Sequence, residues 1–154
     1  MILIKNRQRK IKVDVKKLHA QAQKILGVLD YADFDLNILL TTNKSIHAIN
    51  NQFRNKDKAT DILSFPFHPN LKPGQKIKVT SPDDKNLGDI IISLEHVQKD
   101  AAEKWNRTLQ HHLTALLAHG IAHLIGHDHH TDNEYNEMLK LEKRLLKSVK
   151  LEYY

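Results

Sequence analysis

Cysteine is absent from this 154-residue chain. No disulfide can staple the fold, and any metal ion must be held by His, Asp or Glu. The absence suits a reducing compartment. Glycine and proline are scarce, at five and four residues, and no low-complexity tract or fixed-period repeat is visible, which argues against a linker or a solenoid. Aromatic residues make up only 6 %, and no aromatic-rich RNA-stacking motif stands out. Long hydrophobic runs are missing too. In MILIKNRQRK charge begins at Lys5, too soon for the apolar region of a signal peptide. No later run approaches the roughly 18 residues of a membrane span. A cytoplasmic protein without a membrane partner is the expectation.

What is present is ordinary globular composition, 40 % hydrophobic and 27 % charged, at a length that suits one domain over residues 1–154. The net charge is +6. Basic charge on a compact domain attracts polyanions, of which nucleic acid is the commonest, although a merely well-solvated surface carries the same signature.

Hydrophobic periodicity outlines the elements. ILIK (2–5) reads as a short strand, and the basic run after it as a solvated edge or a nucleic-acid patch. Asp14 caps a helix carrying Leu18, Ala22, Ile25, Leu26 and Leu29. FDLNILLT (34–41) is a strand. Thr42 or Asn43 caps a second helix with the stripe Ile46, Ile49 and Phe53, ending near Arg54. TDILSFPF (60–67) is a strand, residues 68–87 form a long proline-containing excursion, and LGDIIIS (87–93) is a buried strand. Ser93 caps a helix to about Lys104, and Thr108 one that runs to Ile125. Thr131 with Glu134 fits a capping box before a last helix with Tyr135, Met138, Leu139, Leu145, Leu146 and Val149 facing inward. The predicted fold is α+β, a small mixed sheet covered by helices.

Five of the chain's 11 histidines fall in HGIAHLIGHDHH (119–130). His119 and His123 are four apart on a predicted helix, so they share a face and can grip one ion. Gly126 can end the helix with a positive φ, and the chain can then return His129 to the same ion. Three neutral ligands leave open coordination positions, as catalytic sites do. The spacing His-x3-His-x5-His, with a glycine three before the last, is the metzincin ligand pattern on a zincin-like helix. Three imidazoles and no thiolate favour Zn2+, with Ni2+ or another divalent ion also compatible. The protease base, a Glu directly after the first His, is here Gly120. A phosphodiester suits the remaining machinery, because its chief demand is stabilisation of added negative charge.

HGIAHLIGHDH resembles the YbeY family, bacterial rRNA maturation factors described as single-strand-specific metal-dependent endoribonucleases. FRNKDKATDILSFPF (53–67) is similar to the family's Arg-x5-Thr-[DN]-x-Leu-Ser-Phe-Pro segment, and LGDIIIS to its Leu-Gly-Asp-Ile strand. The resemblance implies metal ligands at His119, His123 and His129 and a functional arginine at Arg54. An arginine can fork onto phosphate oxygens and steady the transition state; the competing role is a salt bridge to Asp57. Lys56 and Lys58 are candidate RNA contacts or a solvated loop. Asp128 is a candidate for orienting a ligand imidazole or for helix-end packing. His112, seven before His119, either lines the groove or is a core histidine. Met138 reads as core. His127 departs from the family, which usually has Tyr there.

The implied activity is a zinc-dependent endoribonuclease in rRNA processing and ribosome quality control. Its implied partners are rRNA, the small ribosomal subunit and assembly factors such as an Era-type GTPase, with no DNA expected. A metalloprotease-like hydrolase and a non-catalytic ribosome-assembly factor with a structural metal stand as alternatives.

Overall fold

Strand β1 (Ile2–Asn6) leads to Asp14, whose carboxylate accepts from the Lys17 backbone N–H at 2.9 Å and starts helix α1 (Val15–Val28). The same local logic starts each later helix in the computed structural model, which describes residues 1–153. After β2 (Asp35–Thr41), Thr42 caps α2 (Asn43–Arg54). After β3 (Ile62–Pro66) and β4 (Asn86–Ser93), Ser93 caps α3 (Leu94–Asp100). Thr108 caps α4 (Leu109–Leu124) and Thr131 caps α5 (Asp132–Ser148). In each case a short side chain accepts an otherwise orphaned N–H of the first turn.

The four strands form one sheet in the order β1-β2-β4-β3. β1, β2 and β4 are mutually parallel, and β3 runs antiparallel to β4. This is the α+β mixed sheet that the sequence pattern predicts. Leu36, Ile38 and Leu40 of β2 and Ile90 and Ile92 of β4 are buried together with Leu18, Ile25, Leu113, Leu117 and Ile121 of α1 and α4. Because side chains alternate along a strand, Ile62 and Ser64 of β3 face α4, while Leu63 and Phe65 face the opposite side. There α2 packs, and Phe53 meets Phe65 with ring centroids 5.8 Å apart.

Four sequence expectations change. Phe53 is 61 % exposed and Tyr135 is 51 % exposed rather than inward. The last turn of α2 has reached the sheet edge, where Phe65 alone remains to be covered. Tyr135 precedes Met138, the first buried residue of α5. The helix after Ser93 ends as an α-helix at Asp100 and continues as a π-helical turn, Ala101–Trp105, closed by left-handed Asn106. The capping box at Thr131 is half made. Thr131 accepts from the Glu134 N–H at 3.2 Å, but the Glu134 carboxylate takes the His130 N–H instead. No helix among the described residues is long and apolar enough to cross a membrane.

Candidate metal centre

α4 is held close against the sheet at Gly120. A β-carbon on Gly120 would lie 2.9 Å from Ile62 Cδ1, 3.0 Å from Ile90 Cδ1 and 3.2 Å from Ser64 Oγ. The position at which a metalloprotease keeps its glutamate therefore points into packed core. His119 and His123 occupy the adjoining, half-buried face.

The backs of both rings are engaged. His119 Nδ1 meets the carboxylate of Glu142 from α5. His123 Nδ1 lies 2.9 Å from the His127 carbonyl oxygen. Both partners accept, so in the neutral rings each Nδ1 carries the proton and each Nε2 is left with a bare lone pair. Those two Nε2 atoms face one another at 3.1 Å. Two lone pairs at that range repel unless a cation lies between them, and two imidazole nitrogens on one tetrahedral zinc ion stand roughly 3.4 Å apart. Burial, and then repulsion from His119, push the His123 pKa down to about 4, so the ring stays neutral well into acid.

The third imidazole arrives through the turn. Gly126 has φ of 99°, and a β-carbon on it would sit 2.4 Å from the Leu71 carbonyl oxygen. The long excursion thus rests directly on the histidine loop, and no side chain is tolerated between them. The chain reverses and brings His129 back, its ring centroid 5.7 Å from that of His119 and 5.2 Å from that of His123. One nitrogen of each of His119, His123 and His129 lies within 4.8 Å of the others. A three-nitrogen, thiolate-free donor set fits a divalent ion of zinc type.

Asp128 accepts from the His129 N–H at 2.8 Å and lies 3.0 Å from His130 Nε2, which shapes the loop. The carboxylate on a ligand ring is Glu142, 6 % exposed. His127 is half-buried, and burial lowers its pKa. His112 is a core residue, 3 % exposed, with Nδ1 3.3 Å from Arg107 Nη1.

Arg54 approaches from the other side of Ser64. Its Nη2 donates to the Ser64 carbonyl at 2.7 Å, and its guanidinium carbon lies 5.2 Å from the Phe65 ring centroid. Asp57, the expected competitor, is instead 2.7 Å from His47 Nε2. The Ser64 carbonyl is on the open edge of the sheet. Asp61 and Phe67 bond to β4, and bonding alternates along an antiparallel pair, so Ile62, Ser64 and Pro66 turn their backbone outward. That edge is blunted at three points. The Asp61 carboxylate takes the Ile62 N–H at 2.7 Å, Arg54 takes the Ser64 carbonyl, and Pro66 has no N–H. Lys56 and Lys58 are exposed in the loop beyond Arg54.

The family model described as Endoribonuclease YbeY matches residues 3–150. The chain belongs to the YbeY endoribonuclease family. The human Endoribonuclease YbeY is 37 % identical over 145 residues, 94 % of this chain and 86 % of its own length. Endoribonuclease YbeY of Bartonella bacilliformis is 41 % identical over 115 residues, 75 % of this chain and 68 % of its own length. Among solved structures, a Thermotoga maritima protein determined in solution matches with a TM-score of 0.60 and 25 % identity, over 97 % of this chain and 92 % of that one. Within the YbeY family frame, the three motif stretches quoted from the sequence converge. The histidine stretch packs on β3 of the Arg54 segment and on β4. Glu142, absent from the sequence-based candidates, joins them from 23 residues downstream of His119. Its only sequence signal is a glutamate placed among the inward positions of an amphipathic helix.

Proposed function

We propose that this protein is a single-domain, zinc-dependent endoribonuclease specific for single strands, acting in rRNA processing, including maturation of the 16S rRNA 3′ end, and in ribosome quality control. The observation that carries the reading is the pairing of three converging imidazoles with an arginine that, bonded to the Ser64 carbonyl, has no carboxylate partner among the described residues. The names of the relatives support the activity.

A divalent ion held by His119, His123 and His129 supplies Lewis acidity and makes water a better nucleophile near neutral pH. The chain's own residues do the rest. Glu142 and the His127 carbonyl keep the protons on Nδ1, so the rings present Nε2. Arg54 binds non-bridging phosphate oxygens and stabilises the charge that develops on them. The Ser64 carbonyl and the Phe65 ring hold its guanidinium in place beforehand. Lys56 and Lys58 attract the flanking phosphates. The setting proposed for this work is the cytoplasm, on rRNA of the small ribosomal subunit, beside an Era-type GTPase.

A protease reading fares worse on two counts. A glutamate at Gly120 would start among the packed side chains of Ile62, Ile90 and Ser64, and an extended peptide would align along a strand edge that Arg54, Asp61 and Pro66 block in part. The test is cleavage of labelled single-stranded rRNA by zinc-loaded protein beside His123→Ala purified identically. Cuts that need the intact site and vanish with chelator are expected. Equal cutting by both proteins would sink the reading, and no cutting by either would favour an assembly factor with a structural metal.

A further inference from the structure

Phe53 ends the apolar stripe of α2, yet 61 % of it lies in water. Burying such a ring is favourable, so its position forgoes a real stabilisation. The ring is nevertheless set in place, edge-to-face on Phe65 with an interplanar angle of 71°. Arg54, the next residue, lies against that same Phe65. The loop that follows carries exposed Lys56 and Lys58 and is tied to α2. Asn50, buried, donates from Nδ2 to the Lys58 carbonyl at 2.9 Å and accepts the Lys56 N–H at 3.3 Å through its own carbonyl. The one acid between the two lysines, Asp57, is turned to His47. The result is a fixed aromatic face flanked by three cations with no carboxylate partner among the described residues.

We propose that Phe53 is a stacking platform for one unpaired RNA base next to the phosphate held by Arg54; this rests on the nuclease reading above. Every base has a π-face, so stacking is tolerant of sequence, while the cations take the backbone. A base inside a duplex already has both faces covered and cannot reach Phe53 without unstacking. Arg54, Lys56 and Lys58 see phosphates in either form. The discrimination between single and double strands therefore sits on the aromatic ring.

The experiment is a fluorescence-anisotropy titration of chelator-treated protein, so that no strand is cut. The probes are an unstacked uridine oligomer, an abasic strand with the same number of phosphates, and a hairpin duplex. Phe53→Ala is expected to weaken oligomer binding about tenfold and leave the abasic strand and the hairpin unchanged, with Phe53→Trp restoring the oligomer. Oligomer binding equal to that of the intact protein overturns the proposal. So does an equal loss on the abasic strand, which would trace the effect to a displaced Arg54, and so does an equal loss on the hairpin. Cutting is scored separately with zinc-loaded protein. If binding depends on Phe53 and nothing is cut, the nuclease reading fails and stacking stands; if cutting is intact and Phe53→Ala binds normally, the reverse holds.

Discussion

His119 and His123 stand on a helix buried along most of its length, each ring held from behind by an acceptor, whereas Arg54 stands at the end of a helix in which only Ile46 and Asn50 are buried. The first region is built by desolvation. It keeps the His123 ring neutral and holds both rings at a fixed separation, as a cation needs. The second is built by exposure. It keeps full positive charges in water and locates them with one carbonyl and one ring. A metal site tolerates little displacement of its donors, while a phosphate-binding edge works through charge at longer range. The two regions should therefore respond differently to substitution.

The sharpest separation comes from His123→Ala. It should abolish cutting and weaken zinc by more than about a hundredfold, read by chelator competition, with helix content retained. Zinc binding that survives would remove His123 from the ligand set. Gly120→Glu, which restores a protease-like motif, should cost about 3 kcal/mol or more of stability, since it forces a carboxylate against Ile62, Ile90 and Ser64. A urea midpoint equal to that of the intact protein would show that α4 can lift from the sheet. Arg54→Ala should lower kcat about 100- to 1000-fold at unchanged zinc content, and Arg54→Lys should recover little of it. A parallel loss of zinc would merge the two regions into one. Glu142→Ala should weaken zinc about ten- to a hundredfold, with Glu142→Gln partly restoring it through its amide oxygen, and RNA affinity of the metal-free protein should not move.

The smallest effect is on pH. Burial, then the Arg107 charge, lowers the His112 pKa from 6.5 to about 4. Between those values the unfolded chain binds more protons than the folded one, so stability rises with pH there. The contribution is complete above 6.5 and is lost as pH falls towards about 4. Thermal melting of the metal-free protein should follow that course, and a steady melting temperature across the interval would contradict the buried placement of His112.

The parts of this architecture visible from sequence are those set by near neighbours. Asp14, Thr42, Ser93, Thr108 and Thr131 start helices because each reaches an N–H three residues on, and His119 and His123 share a face because four residues make a turn. Gly126 is legible for the same reason. Glu142 is legible only in part: Met138, Leu139, Leu145 and Leu146 around it mark an inward position, but nothing local names His119, 23 residues away, as its partner. Phe53 and Tyr135 mislead, because apolar spacing reports a helical face but not whether a neighbour extends far enough to cover it. The blunting of β3 depends on which backbone groups point outward, a matter of register with β4.

The bond between α4 and α5 also has a consequence in time. A ribosome releases Glu142 later than His119, the imidazole it meets, and chains begin folding from the N-terminal side as they emerge. A nascent chain can carry all three histidines while His119 still lacks the acceptor that orients it. On the reading proposed above, full metal affinity is expected only once α5 has docked on α4, so the assembly of the site is tied to the last helix of the fold.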